Sequence, residues 1–457
     1  MNQRKPLSSG KETKQKNRKP EYNLEYRRQK QARMKKFRVA SIIAAAGAIL
    51  ILLSVIVSTV KKELAFRFTK DGESILYDTG DSAGSTGATQ ADILSAGDVI
   101  LHAPIFESNH YHKDHTYDFS PIFQYIKKDY EASDFTVVNL ESTLAYDNYS
   151  SYPLFRVPSE IAPALKENGV DMCLLANNHL YDNKEDGISM TMETLDQHSL
   201  LCTGIRREEA EPAYLIQNVN SIKIGILNYA AETGASSEKK LINDIPVSEE
   251  TAPLINSFNY NELEAFYASV QKNLEKMKFM DVAFTIVYLH WGDEYSLTEN
   301  EYQRTIAQKL CDMGINAVIG SHPHVVQPVD VLTSKEGDHQ MLCVYSVGNH
   351  FSNQRRDLMN AMPKGHTEDG LMVNLTIERS EEGTVSITNV DFIPTWVYRS
   401  EDGDNFEYFI LPADTSKKMA KGLKKLNCSE EMKASCKRTN EIIKEGTEKI
   451  AHALPIQ

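Results

Sequence analysis

From Ala91 onward the chain repeats one pattern, a short apolar run that stops abruptly at a polar residue. "ADILSAGD" stops at Asp98, "DFTVVNLE" at Glu141 and "DMCLLANNH" at Asn177, Asn178 and His179. "VAFTIVYLHWGD" carries His290 after its apolar stretch, and "INAVIGSHPH" closes on His322 and His324. Runs this short predict strands. Most are separated by stretches with helical spacing: "SPIFQYIKKDYEAS", "SEIAPALKENG", "EDGISMTMETLDQHS" and "TENEYQRTIAQKLCDMG". Short strands alternating with helices predict an α/β protein with buried sheets. Further along, "AYLIQNVNSIKIGILNYA", "QMLCVYSVGNH", "LMVNLTIERS" and "TVSITNVDFIP" predict hairpins and sheet strands. The Lys- and Glu-rich tail from about Thr415 to Ala453 predicts helix and carries no catalytic signal.

The other strong feature of the pattern lies near the N-terminus. "VASIIAAAGAILILLSVIVSTV", Val39 to Val60, has no charged residue and no proline. As a helix rising about 1.5 Å per residue it reaches roughly 33 Å, enough to cross a hydrocarbon core of about 30 Å. A cleavable signal peptide has a shorter apolar stretch followed by a small-residue cleavage site. Here the run is long and "KKELAFRF" follows it, so an uncleaved membrane anchor is expected.

Charge sets the orientation of that anchor. Met1 to Arg38 holds 14 Lys and Arg against Glu12, Glu21 and Glu25, a net of +11; the total is −13, which leaves −24 for the remainder. Arg33, Lys35, Lys36 and Arg38 directly precede the span, and the positive-inside rule puts them in the cytoplasm. Lys61 and Lys62 oppose that bias without reversing it. The basic tail reads as a disordered membrane-proximal arm and not as a nucleic-acid-binding segment. "KDGESILYDTGDSAGSTGATQ", Lys70 to Gln90, reads as a flexible stalk. The expected organisation is a cytoplasmic tail (1–38), a transmembrane anchor (39–60), an extracytoplasmic stalk (61–90), a main domain (91–398) and a mostly helical extension (399–457). The protein is thus expected at the cell membrane as a single-pass protein, N-terminus cytoplasmic and body outside.

At 457 residues, 25% charged and 41% hydrophobic, the chain suits one large domain or two smaller ones. Its six cysteines contain no C-x-x-C pair, which excludes a zinc ribbon or a thioredoxin motif. Cys173, Cys202 and Cys343 lie in apolar runs and read as core. Cys428 and Cys436 flank "SEEMKAS", where an extracytoplasmic setting permits a disulfide without establishing one.

The polar run ends carry the chemistry. Each has a bland reading taken alone. Gly-Asp at Asp98 is a common turn, Asn177 and Asn178 can cap a helix, and a lone His290 is commonly a satisfied core residue. Together the ends present carboxylate, amide and imidazole, the ligands of borderline or hard divalent metals such as Mn, Fe and Zn. A single convergent site is a simpler account than five coincidences. A pair of metals about 3.5–4 Å apart, with a carboxylate between them, can clamp a phosphoryl oxygen and activate a water.

The segments "GDVIL", "VNLES", "NNHLYD", "LHWGDEY", "GSHPHVVQP" and "YSVGNHFSN" resemble the CapA family of poly-γ-glutamate capsule synthesis proteins, from Ala91 to Pro394. The resemblance implies a calcineurin-like metallophosphoesterase fold, a four-layer α/β/β/α sandwich preceded here by one transmembrane helix. It implies Asp98, Glu141, Asn178, His290, His322 and His324 as ligands of one or two divalent ions. Glu141 stands in the bridging position, His290 and His322 serve one metal and His324 the other. It further implies His179 as the group that protonates a leaving group, and Asn177, Asp182 and Asn349 as substrate contacts. Three positions depart from the phosphoesterase superfamily pattern. Ile100 replaces the second ligand of an Asp-x-His motif, Glu141 replaces an aspartate, and Leu180 replaces an acidic residue.

The expected function is therefore that of a surface-anchored metallohydrolase acting on a phosphoester, or on an amide-linked component, of the cell envelope during capsule synthesis. The alternative is a non-catalytic metal-binding scaffold of a polymer assembly complex. The expected partners are an envelope polymer or phosphoester, the lipid bilayer through residues 39–60, and other membrane subunits of that complex. The −24 body argues against a broad polyanion-binding surface, because like charges repel. The predicted topology is checked by adding protease to intact protoplasts. The body C-terminal to Val60 should be digested, whereas protection that is lost only on lysis would place it inside.

Overall fold

Side chains of a strand alternate between two faces, and most runs of this chain are apolar at both parities. Such strands are stable only between two covered faces. The computed structural model shows that outcome. It describes residues 89–456 apart from 114–115, 235–238, 363, 401–404 and 414–421. The chain divides into two units, Met1–Ile75 and Leu76–Gln457. The expected tail and anchor, and the stalk as far as residue 88, lie outside the described residues. No helix among the described residues is long and apolar enough to cross a membrane.

In chain order the elements that matter here are β1 (Thr89–Val99), β2 (Phe135–Leu140), α1 (Ile161–Glu167), β3 (Met172–Leu174), α2 (Lys184–Gln197), β4 (Leu201–Thr203), β5 (Leu215–Val219) and β6 (Ile222–Ala231). There follow the hairpin strands β7 (Leu241–Ile242) and β8 (Ile245–Pro246), then β9 (Ser257–Phe258), α3 (Leu263–Phe279), β10 (Phe284–His290), α4 (Glu301–Asp312) and β11 (Ala317–Ser321). The last group is β12 (Val329–Thr333), β13 (Gln340–Val344), β14 (Asn349–Phe351), β15 (Asp369–Arg379), β16 (Val385–Arg399), β17 (Tyr408–Pro412) and α5 (Ser429–Ala453).

One sheet has the order β17-β16-β15-β1-β2-β3-β4, with β14 also paired to β1. The other has the order β9-β6-β10-β11-β13-β12, with β5 paired to β6. Between them lies an apolar core that takes one parity from each strand: Ile93, Val137 and Met172 from the first sheet, Ile224, Ile226, Ile286, Ile319 and Leu342 from the second. The opposite parity of the first sheet, Leu94, Val138 and Cys173, packs against α1 and α2. The opposite parity of the second sheet, Leu227, Val287 and Val318, packs against α3 and α4. The result is a four-layer α/β/β/α sandwich. One polar bolt crosses the middle, a 2.8 Å hydrogen bond between Ser95 Oγ and Tyr288 OH.

The N-terminal end of α4 is fixed by a reciprocal capping box between Asn300 and Gln303. The segment "SPIFQYIKKDYEAS" is not one helix. It splits into a 3₁₀ turn at Ser120–Phe123 and a short helix at Lys127–Ala132. The residues expected as a helical extension divide as well. Tyr408–Pro412 adds an antiparallel strand beside β16, and Ser429–Ala453 forms a long helix. That helix is held by Arg438, which donates to both oxygens of the buried Asp369 carboxylate at 2.6 and 2.7 Å. Cys428 is a free buried thiol, so no disulfide joins it to Cys436. β1 begins at Thr89 and so takes in the last two residues of the expected stalk.

Two close backbone approaches shape the carboxyl ends of the strands. At Gly97, which precedes Asp98, a β-carbon would lie 1.9 Å from the Gly348 carbonyl oxygen. At Gly320 it would lie 2.0 Å from the Tyr345 carbonyl oxygen. Gly97→Ala should therefore force β1 away from Gly348 and destabilise the chain by about 1–3 kcal/mol, the usual cost of overpacking. Thermal unfolding of the purified full-length variant checks this, and an unchanged midpoint would mean that the approach is not tight.

Candidate metal centre

The inner strands of both sheets are parallel, so their carboxyl ends point the same way, which is where open α/β sheets build sites. Asp98 on β1 and Asn139 on β2 are register partners. Asn139 Nδ2 donates to Asp98 Oδ1 at 2.7 Å and lies 3.4 Å from Glu141 Oε2. Glu141 follows two residues later, past the end of β2, and is fully buried. On the second sheet His290 ends β10 opposite Ser321 of β11, and its Nδ1 is 3.0 Å from Ser321 Oγ. That contact orients the ring, as a hydrogen bond to the far nitrogen of a ligating histidine does.

Orientation leaves His290 Nε2 aimed at three electron-rich atoms. Asn178 Oδ1 lies at 2.8 Å, His322 Nδ1 at 3.1 Å and Glu141 Oε1 at 3.6 Å. The second cluster is similar. His324 Nδ1 is 3.1 Å from Asp98 Oδ2, and its Nε2 is 3.8 Å from Glu141 Oε1. Two ligand triads result, Glu141 with His290 and His322, and Asp98 with Glu141 and His324, each with donor atoms within 4.8 Å of one another. Glu141 belongs to both. His322 and His324 both have left-handed backbones, φ 98° and φ 57°. Such conformations cost about 1–3 kcal/mol each in non-glycine residues and persist where the surroundings impose them. They also let two histidines separated by one proline serve different triads.

The electrostatics suit a cation. Burial and the neighbouring Asp98 charge push the Glu141 carboxyl well above its ordinary range. Glu141 Oε1 is buried and accepts no hydrogen bond among the described residues, and there no Lys or Arg forms an ion pair with Asp98 or Glu141. Burial, then His322 and His324, hold His290 well below the ordinary histidine range. Burial and His324 lower His322 to about 4. Both rings are therefore neutral near pH 7, the form that ligates metals. Burial raises Asp98, but hydrogen bonds from His324 and Asn139, with the charge of His324, more than offset it and leave its pKa lowered. An orphaned carboxylate oxygen facing converging lone pairs is what a divalent cation satisfies, so the donor set fits one.

His179 stands beside this cluster and belongs to neither triad. Its Nδ1 is 2.7 Å from Asp182 Oδ2, and its ring meets Phe155 edge-on at 4.7 Å. Phe155 in turn meets His102 edge-on at 5.3 Å. Burial, then the charge of His324, lowers His102 to about 3. Ile100 lies in the apolar core outside the first sheet.

The three residues expected to contact substrate are hydrogen-bonded to neighbouring protein groups, although Asn349 Oδ1 accepts no hydrogen bond among the described residues. Asn177 donates to Asn139 Oδ1 and to the Leu140 carbonyl, and accepts from the His179 amide. Asp182 is occupied by His179, the Phe155 amide and Asn243. Asn349 is the register partner of Asp98, and its amide nitrogen donates to Gln354 and the Thr367 carbonyl. In this geometry all three hold the site together. Sequence reasoning missed Asn139, Ser321 and Asn243. Asn139 had a signal, since it lies two residues before Glu141, the spacing at which an extended chain returns to the same side. Ser321 sits inside the quoted "GSHPH". Nothing in the sequence brings Asn243 to the site.

A family model described as bacterial capsule synthesis protein PGA_cap matches residues 92–354. The chain is 25% identical over 279 residues to the PGA biosynthesis protein CapA of Bacillus subtilis strain 168, covering 59% of this chain and 64% of that protein. It is 26% identical over 281 residues to the capsule biosynthesis protein CapA of Bacillus anthracis, covering 60% and 63%. The chain thus spans a little under two thirds of the length of the curated relatives it matches. Among solved structures, the calcineurin-like phosphoesterase YfkN of Bacillus subtilis is similar with a TM-score of 0.38 and 14% identity, over 77% of this chain and 99% of that one.

The two kinds of histidine make different predictions. His322→Ala should lower the divalent metal content measured by elemental analysis of the full-length protein, because it removes a donor from a triad. His179→Ala should leave that content nearly unchanged. Equal loss in both variants would make His179 a ligand.

Proposed function

Because the chain belongs to the PGA_cap family of bacterial capsule synthesis proteins, we propose that it is a membrane-anchored, cell-surface protein of poly-γ-glutamate-type capsule synthesis whose site is a metal-dependent, phosphoesterase-like hydrolase centre. The observation that carries this reading is the placement of Glu141 in both triads. A buried carboxylate shared by two sets of imidazole donors is suited to bridging two cations, and Mn, Fe or Zn accept such ligands. Glu141, His290 and His322, with Asn178, would hold one ion. Asp98, Glu141 and His324 would hold the other. Such a pair supplies polarisation of a phosphoryl oxygen and a lowered pKa for an attacking water.

The protein's own part in the chemistry lies with His179. Asp182 is hydrogen-bonded at both oxygens. A carboxylate is an acceptor, so His179 Nδ1 carries the hydrogen that points to it. Its Nε2 has no hydrogen-bond partner among the described residues and is the atom that can deliver a proton to a leaving-group oxygen. Asp182 then stabilises the imidazolium before transfer. Phe155 limits tilting of the ring and keeps water from one side.

The charge of residues 1–38 and the apolar run 39–60 support the anchored, outward-facing placement. An envelope phosphoester and membrane subunits of a capsule synthesis complex are the corresponding partners. One observation favours the scaffold reading, namely that Ile100, at the expected position of a further ligand, is buried in apolar core.

Turnover separates the two readings. Full-length protein loaded with Mn or Zn should hydrolyse bis(p-nitrophenyl) phosphate. His179→Ala should reduce that rate by about 10²–10⁴-fold, the usual contribution of a general acid. Metal-loaded wild type with no more activity than its metal-free form would favour a scaffold.

A further inference from the structure

The hairpin β7–β8 reaches into the wall of the site. Its strands pair Ile242 with Ile245, which leaves Asn243 and Asp244 as a two-residue turn. Both have left-handed backbones, φ 51° and φ 59°, as a type I′ turn requires. Asn243 at its tip contacts two other segments of the chain. Its Nδ2 lies 2.8 Å from Asp182 Oδ1, 3.3 Å from the Pro153 carbonyl and 3.4 Å from His179 Nδ1.

A primary amide has two hydrogens. The two oxygens are the nearer acceptors and take both. His179 Nδ1 is then left as a donor, and it donates to Asp182 Oδ2 at 2.7 Å. Oδ2 also accepts the Phe155 amide at 2.6 Å. Asp182 thus receives three hydrogen bonds in a side chain with no exposed surface. The terminal torsion of an aspartate is broad, and the two oxygens of an ionised carboxylate are equivalent, so what has to be fixed is the plane of the group. Asn243 on one oxygen, opposite His179 and the Phe155 amide on the other, fixes that plane.

The hairpin is itself fixed to the turn that carries His179. The Val247 amide bonds the Lys240 carbonyl, and Lys240 Nζ donates to the carbonyls of Ala252 and Ile255. The Ser248 amide bonds the hydroxyl of Tyr181, two residues beyond His179. Ile242 is fully buried in the core outside the first sheet. The tip therefore cannot drift without disturbing the neighbours of His179.

We propose that Asn243 is a positioning residue, which fixes the Asp182 carboxylate and thereby holds His179 in the Nδ1–H tautomer with Nε2 available for proton transfer. The catalytic consequence rests on the hydrolase reading above, whereas the tautomer does not.

Two variants test it in the full-length chain. Asn243→Gly removes the amide but keeps a residue suited to the type I′ turn. Asn243→Asp keeps the shape and puts a carboxylate against Asp182. The primary readout is the ¹⁵N spectrum of histidine-labelled, metal-loaded protein, with the His179 signals assigned by their loss in His179→Ala. Wild type should show the Nδ1–H form. Both variants should populate the Nε2–H form while keeping wild-type metal content and an unfolding midpoint close to wild type. Hydrolysis of bis(p-nitrophenyl) phosphate should fall roughly 10–100-fold, as for loss of other orienting partners, with KM little changed. An unchanged His179 tautomer in both variants overturns the proposal. So does a loss of metal from Asn243→Gly equal to that from His322→Ala, since Asn243 would then act on the metal cluster. Absence of turnover in wild type would count against the hydrolase reading, and the tautomer would still decide this proposal.

Discussion

The structure turns on one electrostatic constraint. Two carboxylates, Asp98 and Glu141, are buried at the seam of two sheets, with histidines as their only ion-pairing neighbours among the described residues. An isolated buried charge is costly, and proteins neutralise it, pair it or ligate it. Asp98 is served by Asn139 and His324. Glu141 is not served in the same way, because one of its oxygens accepts nothing. With no cation present a proton is the simplest neutraliser, which is why its pKa rises. A divalent ion held there would replace that proton and use the orphaned oxygen, so that metal binding would offset the cost of burying Glu141.

The surrounding fold makes the arrangement rigid. Gly97 and Gly320 let neighbouring backbones approach where a side chain would collide. His322 and His324 are held in left-handed conformations beyond the end of β11. Ser321, Asn139 and Asn177 hold rings and carboxylates in place without joining either triad. Backbone strain at the two histidines is tolerated because the strand before them and the chain after them are fixed in apolar core through Val318, Ile319 and Val326. The same rigidity places His179 beside the cluster with its ring directed to Asp182, so that Asn178 and His179 meet different neighbours although they are adjacent in sequence.

Much of this was legible in the sequence because burial writes itself into local pattern. Strands covered on both faces read as short unbroken apolar runs, and polar residues at their ends stand out against them. That signal brought together Asp98, Glu141, Asn178, His290, His322 and His324, which the structure gathers at one seam. The hydrogen-bond partners of Asn177, Asp182 and Asn349 were not legible, since a polar side chain near a site can face a substrate or a neighbour with equal ease. Their hydrogen bonds depend on the Leu140 carbonyl, the Phe155 amide and the Thr367 carbonyl, which come from distant segments. Asn243 was invisible for the same reason, because a turn dipeptide says nothing about which wall the hairpin meets. The strand Tyr408–Pro412 was lost in the tail, where five residues beside a helical segment give too little periodicity.

Glu141 as a shared ligand is tested by the metal stoichiometry of wild type against Glu141→Gln, measured by elemental analysis of the full-length protein at saturating Mn or Zn. The amide keeps the size of the side chain and removes the charge that two ions would share. A bridging Glu141 predicts close to two ions per chain in wild type and a loss affecting both in the variant. A Glu141→Gln protein that retains the wild-type complement would contradict it, because Glu141 could not then be the bridge on which the site depends.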